Sequence, residues 1–409
     1  MGPPPGPPAM VIFERLAQLL LPVDGFGEIV ETDDRWRLDP RLKDPAGDVV
    51  VWGRPPLPSG AGVTGARRFA GDRRRALSRL RRRPPGGLRV VDAVWWSPPE
   101  IKRSRFKKTL KDALAAGALI TLSRSGRFER SLDAAWNDAG FADRAPAPRP
   151  SSGGSLRIEP DEGSTQVIFR AGPVDTPADP RATGGALELL ERAGLDLVPR
   201  ATAAGAVAGT GWLLETRLQG RRPPKLTTEL VRATVALCAG LPRGPGPSLA
   251  FEEDEATIVK HLPDAREGLE TLLQPHRSIV SRMPSVLRHG DLWAGNLLED
   301  AGSLSGVVDW DAWHPSAVIG ADLVHLLGAE GGGNLGERYL QRPWRRGSFL
   351  TASEQYWERM GVEPVDEVLD GAGAAWWAGQ VAANLERLPH LAKDRTWLRA
   401  NVHTVLESI

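Results

Sequence analysis

The chain has 409 residues, 41% of them hydrophobic, and a formal net charge of +1. That length exceeds one average domain and points to two or three, while the near-neutral balance gives no reason to expect a nucleic-acid or membrane partner. The one cysteine, Cys238, excludes an intramolecular disulfide framework and any cysteine-rich metal site, and within TVALCAGL it reads as a buried small hydrophobe. No apolar run reaches the ~18–20 residues of a membrane span. The start, MGPPPGPPAM, lacks the basic n-region of a signal peptide, so the expected location is cytoplasmic.

Residues 1–9 read as a Pro/Gly-rich disordered leader. Residues 10–144 read as a small α/β domain. Val11 to Leu21 has amphipathic helical spacing, stopped by Pro22, and DVVVWG (48–53) suits a buried strand. The basic segment 66–87 carries Phe69, Ala76, Leu77 and Leu80 on one helix face. Its arginines form either a solvated face or a site for an anionic partner. LRVVDAVWW (88–96) reads as a strand, 102–117 as a helix, ALITLSRS as a further strand, and Leu132 to Phe141 as a short helix. Strand, helix and strand in succession predict an α/β layer.

APAPRPSSGGS (145–155) has linker composition and is taken as a domain boundary. Beyond it, LRIEP and TQVIFRAG, separated by Asp161-Glu162-Gly163, predict a β-hairpin. A helix is expected from about Ala182 to Ala193, closed by Gly194. Leu197-Val198-Pro199 and GTGWLLETRLQG are expected strands, and Thr227 to Leu241 an expected helix.

The chemistry gathers between Val286 and Trp313, in VLRHGDLWAGNLLEDAGSLSGVVDWDAW. The pattern is a loop, a strand, a tight turn, and a second strand ending in an acid. An aspartate at 291 can face a substrate hydroxyl, while Asn296 and a second aspartate can hold a divalent metal on nucleotide phosphates, which is what phosphoryl transfer needs. An aspartate of ordinary acidity is ionised at neutral pH, so it need only be well placed. The segments that follow have helical spacing and many tryptophans, which read as core more readily than as ligand contacts. The acidic run FEEDEA (251–256) reads either as a solvated helix start or as a contact for a cationic acceptor.

HGDLWAGNLL followed by VVDWDAW resembles the aminoglycoside phosphotransferase, choline kinase and fructosamine kinase group within the protein-kinase-like fold. The likeness spans about residues 151–409. It implies an α+β, bilobal kinase-like domain, with a small β-rich lobe at 156–224 and a large helical lobe at 225–409. It further implies ATP and Mg2+ as cofactors and a small-molecule hydroxyl as acceptor: a sugar, an aminoglycoside-like compound or an amino alcohol. Carried over, Asp291 is the catalytic acid, and Asn296 and Asp309 are the metal ligands. His289 is structural, and Asp322 buttresses the loop. Arg170 stands where the family carries a phosphate-binding lysine, and Thr183 where it carries that lysine's glutamate partner. Gly153 and Gly154 belong to the loop over the phosphates, and backbone near Glu215 and Arg217 meets the adenine. The altered lysine and glutamate positions leave a pseudokinase-like binding or scaffold protein as an alternative. The end of the α/β domain resembles the second half of a class I methyltransferase fold. The glycine-rich loop of that fold is not evident, since GAGVTG (60–65) follows a Pro-rich stretch, so the domain reads as degenerate or as a scaffold. A biosynthetic transferase using this domain is a further alternative.

Overall fold

The computed structural model describes residues 130–142, 145–146, 149–150, 155–160, 167–244, 246–248, 250–329 and 333–408. Ahead of these it describes Leu19 and four strands. The strands are β1 (Glu28–Thr32), β2 (Val49–Gly53), β3 (Arg89–Trp96) and β4 (Gly117–Ser123), in the order β1-β2-β4-β3. The first pair is parallel and the other two are antiparallel. Three of these strands coincide with the apolar runs expected at 48–53, 88–96 and in ALITLSRS; β1 was not anticipated. Apart from Leu19 and Gly117, the expected helices at 11–21, 66–87 and 102–117 lie outside the described residues. So does the glycine-rich 60–65.

The first described helix, α1 (Ser131–Asp138), packs on the five-stranded antiparallel sheet that follows. That sheet has the order β5-β6-β7-β9-β8, with β5 at Arg149–Pro150, β6 at Leu156–Ile158 and β7 at Val167–Pro173. β8 spans Ala201–Val207 and β9 spans Thr210–Thr216. Helix α2 (Pro180–Arg192) lies between β7 and β8; Asp179 caps it, accepting the Arg181 N–H, and Pro180 opens it.

Strand β7 is central and alternates with period two. Phe169 and Ala171 face α1, where Trp136 stacks on Phe141 at 4.0 Å and meets Phe169 edge-on at 5.1 Å. Arg170 therefore points to the other side, toward α2 and the large lobe. Part of the expected linker is built into this lobe. The Ala145 carbonyl accepts from Arg130, its N–H donates to Asp133, and Arg149–Pro150 forms the edge strand, where proline is tolerated.

One strand expectation fails. Leu197–Pro199 is not a strand, and β8 is formed instead by ATAAGAV. This run lacks the β-branched pattern of a strand, and Trp212 on β9 lies across its glycine. Gly205 is the register partner of Trp212, and a Cβ there would sit 2.6 Å from the indole.

The large lobe begins with α3 (Thr228–Cys238), α4 (Ala250–His261) and α5 (Arg266–Val280). Two antiparallel pairs follow: β10 (Ser285–Arg288) with β13 (His314–Val318), and the hairpin β11 (Leu297–Asp300) with β12 (Ser303–Val307). Next come α6 (Ala321–Ala329), α7 (Leu335–Gln341), α8 (Gly347–Met360) and the long central α9 (Asp366–Arg387). Trp310, Trp344, Trp357, Trp376 and Trp377 are all buried, as the core reading of the tryptophan-rich segments expects. Cys238 is likewise buried. Among the described residues no helix is long and apolar enough to cross a membrane.

Candidate active site

At the end of β10 the chain turns sharply through His289, Gly290 and Asp291. Asp322, in the first turn of α6, fixes this turn by accepting the His289 N–H at 2.6 Å and the Gly290 N–H at 3.0 Å. Gly290 has φ +82°, and a Cβ on it would lie 2.0 Å from the Ala312 carbonyl oxygen. Only glycine fits there. His289 is wholly buried. Its Nδ1 accepts the Asp291 N–H at 3.2 Å, so Nε2 carries the proton and donates to the Val308 carbonyl at 3.0 Å. The imidazole thus ties the Asp291 turn to the strand end that delivers Asp309.

The Asn296 amide nitrogen donates to the Asp291 carbonyl at 2.8 Å and to its Oδ2 at 3.2 Å. Both amide hydrogens are thereby engaged, and the amide oxygen is the atom turned away from Asp291. The Val308 N–H donates to the Asn296 carbonyl at 2.9 Å. Asp309 follows in left-handed backbone with φ +72°, a conformation that L residues other than Gly, Asn and Asp seldom take. Such strain clusters at functional sites. Asp291, Asp309 and Asp311 line one cleft of about 290 Å³.

Arg170 reaches these acids from the small lobe. Its Nη2 donates to both carboxylate oxygens of Asp311, and its Nη1 lies 3.6 Å from Glu215. The Thr183 hydroxyl donates to Asp311 Oδ1 at 2.9 Å. The two altered family positions therefore meet on one carboxylate, which comes from the large lobe. Glu188 and Glu191 of α2 face outward.

The charges follow from this layout. Burial disfavours the Arg170 cation, yet Asp311 and Glu215 keep it firmly protonated. Burial raises the Glu215 carboxyl despite Arg170. Asp309 is also raised, by burial and by Asp311 beside it. Asp311 is lowered, because Arg170 outweighs its burial. Asp291 is lowered too: burial pushes it up, but His325, His289 and Arg387 together more than reverse that.

Of the remaining sequence-predicted residues, Gly153 and Gly154 lie outside the described residues, between the paired ends Pro150 and Leu156. The Glu215 side chain is taken up by Arg170. Arg217 pairs with Glu159 at 3.4 Å. The FEEDEA acids are largely engaged: Glu253 with His314 at 2.7 Å, Asp254 with Arg288 at 2.9 Å, and Glu255 with Arg277 at 2.5 Å. Sequence reasoning gave no role to Asp311 or His325. Asp311 stands openly in DWDAW, whereas His325 is marked only by its place three residues after Asp322 on one helix face.

The chain matches the model of the phosphotransferase enzyme family over residues 156–362, half of its length. The chain belongs to this family. The match covers the small lobe from β6 and the large lobe through α8, so the family's shared region contains Arg170, Asp291, Asn296, Asp309 and Asp311. Solved phosphotransferase structures resemble the chain at low identity. The aminoglycoside phosphotransferase APH(3'')-Id from Streptomyces rimosus, in complex with ADP and streptomycin, is 15% identical. That likeness covers 60% of this chain and 95% of the other, with a TM-score of 0.43. The aminoglycoside phosphotransferase APH(2")-IIa, in its gentamicin complex, is also 15% identical, covering 64% and 90% at a TM-score of 0.45. A comparison with curated proteins gives no match.

Proposed function

We propose that this phosphotransferase-family member is a small-molecule kinase, moving the γ-phosphoryl group of ATP to a hydroxyl of a sugar, aminoglycoside-like compound or amino alcohol. The observation that carries the reading is the convergence of Asp291, Asn296 and Asp309 around one turn system, with the Arg170 cation meeting it from the opposite lobe. Asp291 accepts a hydrogen bond from the acceptor hydroxyl and orients its oxygen toward phosphorus. Its low proton affinity suits orientation rather than early proton removal, and phosphoryl transfer asks mainly for positioning. The Asn296 amide oxygen and the Asp309 carboxylate are the hard oxygen donors that would hold magnesium, with phosphates and water completing its shell. When bound, magnesium neutralises the charge that builds on the transferring phosphoryl oxygens. Arg170 adds positive charge beside these acids, and backbone near Glu215 and Arg217 forms the adenine side of the cleft.

The test is ADP release by the full chain with ATP and magnesium. Turnover is expected to need the metal and to fall roughly 100- to 10,000-fold in Asp291→Asn. Turnover equal to wild type in that variant would sink the assignment.

The Arg170–Asp311 pair supports a second reading, a nucleotide-independent binding protein, because the phosphate-anchoring cation already has an internal partner. That reading expects no change in melting temperature with millimolar ATP and magnesium. A clear upward shift disposes of it.

A further inference from the structure

We propose that His325, held in a single tautomer by Trp376, is a positioning residue for Asp291; the assignment rests on the kinase reading of this cleft. The Trp376 indole nitrogen lies 2.9 Å from His325 Nδ1. An indole N–H can only donate, so Nδ1 must be bare and the neutral ring carries its hydrogen on Nε2. That nitrogen lies 3.4 Å from Asp291 Oδ1.

Both supporting side chains are buried, so the ring has little freedom to turn. The other Asp291 oxygen, Oδ2, receives the Asn296 amide. The Asn296 amide on Oδ2 and the His325 ring at 3.4 Å from Oδ1 flank the carboxylate from two sides, and each oxygen keeps a lone pair for an incoming hydroxyl. Helix α6 supplies this support twice from one face. Asp322 holds the backbone of the loop, and His325, three residues on, holds its carboxylate. A histidine serving the core alone would be satisfied by Trp376 and need not aim its second nitrogen at the reacting acid. Because the donor is neutral, it steadies the Asp291 charge without an ion-pair partner that would compete for it.

The test uses the full chain with magnesium and ATP, and water as the phosphoryl acceptor. His325→Leu is expected to lower kcat about 10- to 100-fold, the scale seen when an outer-shell partner is removed, with KM for ATP within about twofold. His325→Gln, whose amide nitrogen can reach the Nε2 position, is expected to return kcat to within about threefold of wild type. An unchanged kcat in His325→Leu, or no recovery in His325→Gln, overturns the proposal. A second measurement is independent of turnover and of how the leucine variant folds. In the full chain labelled with 15N-histidine, the His325 signals are identified by their loss in His325→Gln. They are expected to report a protonated Nε2 and a bare Nδ1 at neutral pH, and Asp291→Asn is expected to shift Nε2. The opposite tautomer, an imidazolium, or an Nε2 signal indifferent to Asp291→Asn overturns the proposal. Absence of ATP turnover in the wild type would count against the kinase reading alone, and the tautomer would still decide the role of His325.

Discussion

Arg170 on β7 donates to both carboxylate oxygens of Asp311, a residue 141 positions further along the chain, and so joins the small lobe to the loop that carries Asp309. The family resemblance leads one to look for the partner of this cation on α2, where Thr183 stands. The structure supplies it from the large lobe instead, and Thr183 donates to the same carboxylate. The cation's acid partner comes from the loop that carries Asp309 and not from the helix, and α2 remains tied to that loop through Thr183.

This clasp makes a stability prediction. Arg170→Ala and Asp311→Ala are each expected to destabilise the chain by ~2 kcal/mol, the scale of a hydrogen bond to a charged group. In urea unfolding the double variant should lose less than the sum of the two, since each single change removes the same contact. Strict additivity would mean that the residues are not coupled.

Gly290→Ala should harm the site more than the fold. The new methyl group meets the Ala312 carbonyl at 2.0 Å in a left-handed backbone, so the Asp291 turn and the 309–312 loop must separate. The expected outcome is a folded chain by circular dichroism with ATP turnover reduced at least about 10-fold. Turnover at the wild-type level would show that the close approach is not needed.

The docking of α1 should weaken in acid. Asp133 is buried and accepts from Arg130 and from the Ala145 N–H. Burial raises its carboxyl, but Arg130 brings it below the ordinary value. A folded-state pKa below the unfolded one gives stability that is present above the unfolded value of about 3.9 and is lost as pH falls through the folded value. The melting deficit of Asp133→Asn relative to wild type should therefore be full near neutrality and shrink below about pH 4. A deficit that stays constant down to pH 3 would contradict the ionic origin.

How much of this was legible in the sequence depended on range. Asp291, Asn296 and Asp309 sit within one short stretch, where the motif and the family resemblance single them out together. The hairpin of β6 and β7 was equally local. The partner of Arg170 was not legible, because the contact depends on how two lobes close rather than on any spacing. Strand β8 was hidden because its run of alanines carries no β-branched pattern, and Gly205 within it lies under the Trp212 indole. Within 145–155, Arg149–Pro150 pairs as an edge strand, since proline marks an edge strand as well as a linker. Helix α1 gave no sign that it would cover the small-lobe sheet, since its apolar face is compatible with either neighbour.

The acidic run on α4 bears on acceptor choice. With Asp254 and Glu255 held by arginines, the remaining carboxylates along the cleft wall beyond the Asp291 and Asp309 loops are Glu386 and Glu253, which stays exposed although the His314 ring lies 2.7 Å from it. Glu253→Gln with Glu386→Gln should raise KM for an amino-sugar acceptor about 10-fold while leaving KM for ATP unchanged. A neutral sugar accepted equally well by both proteins would be consistent with that, whereas an unchanged KM for the amino sugar would remove these carboxylates from recognition.

The central claim is tested most directly by following label from γ-32P-ATP into a panel of sugars, amino sugars and amino alcohols incubated with the full chain. A labelled phosphate monoester that forms only with magnesium, and is lost in Asp291→Asn and in Asp309→Ala, is the expected result. No labelled product from any acceptor in the panel, or product formed equally by the variants, would contradict it.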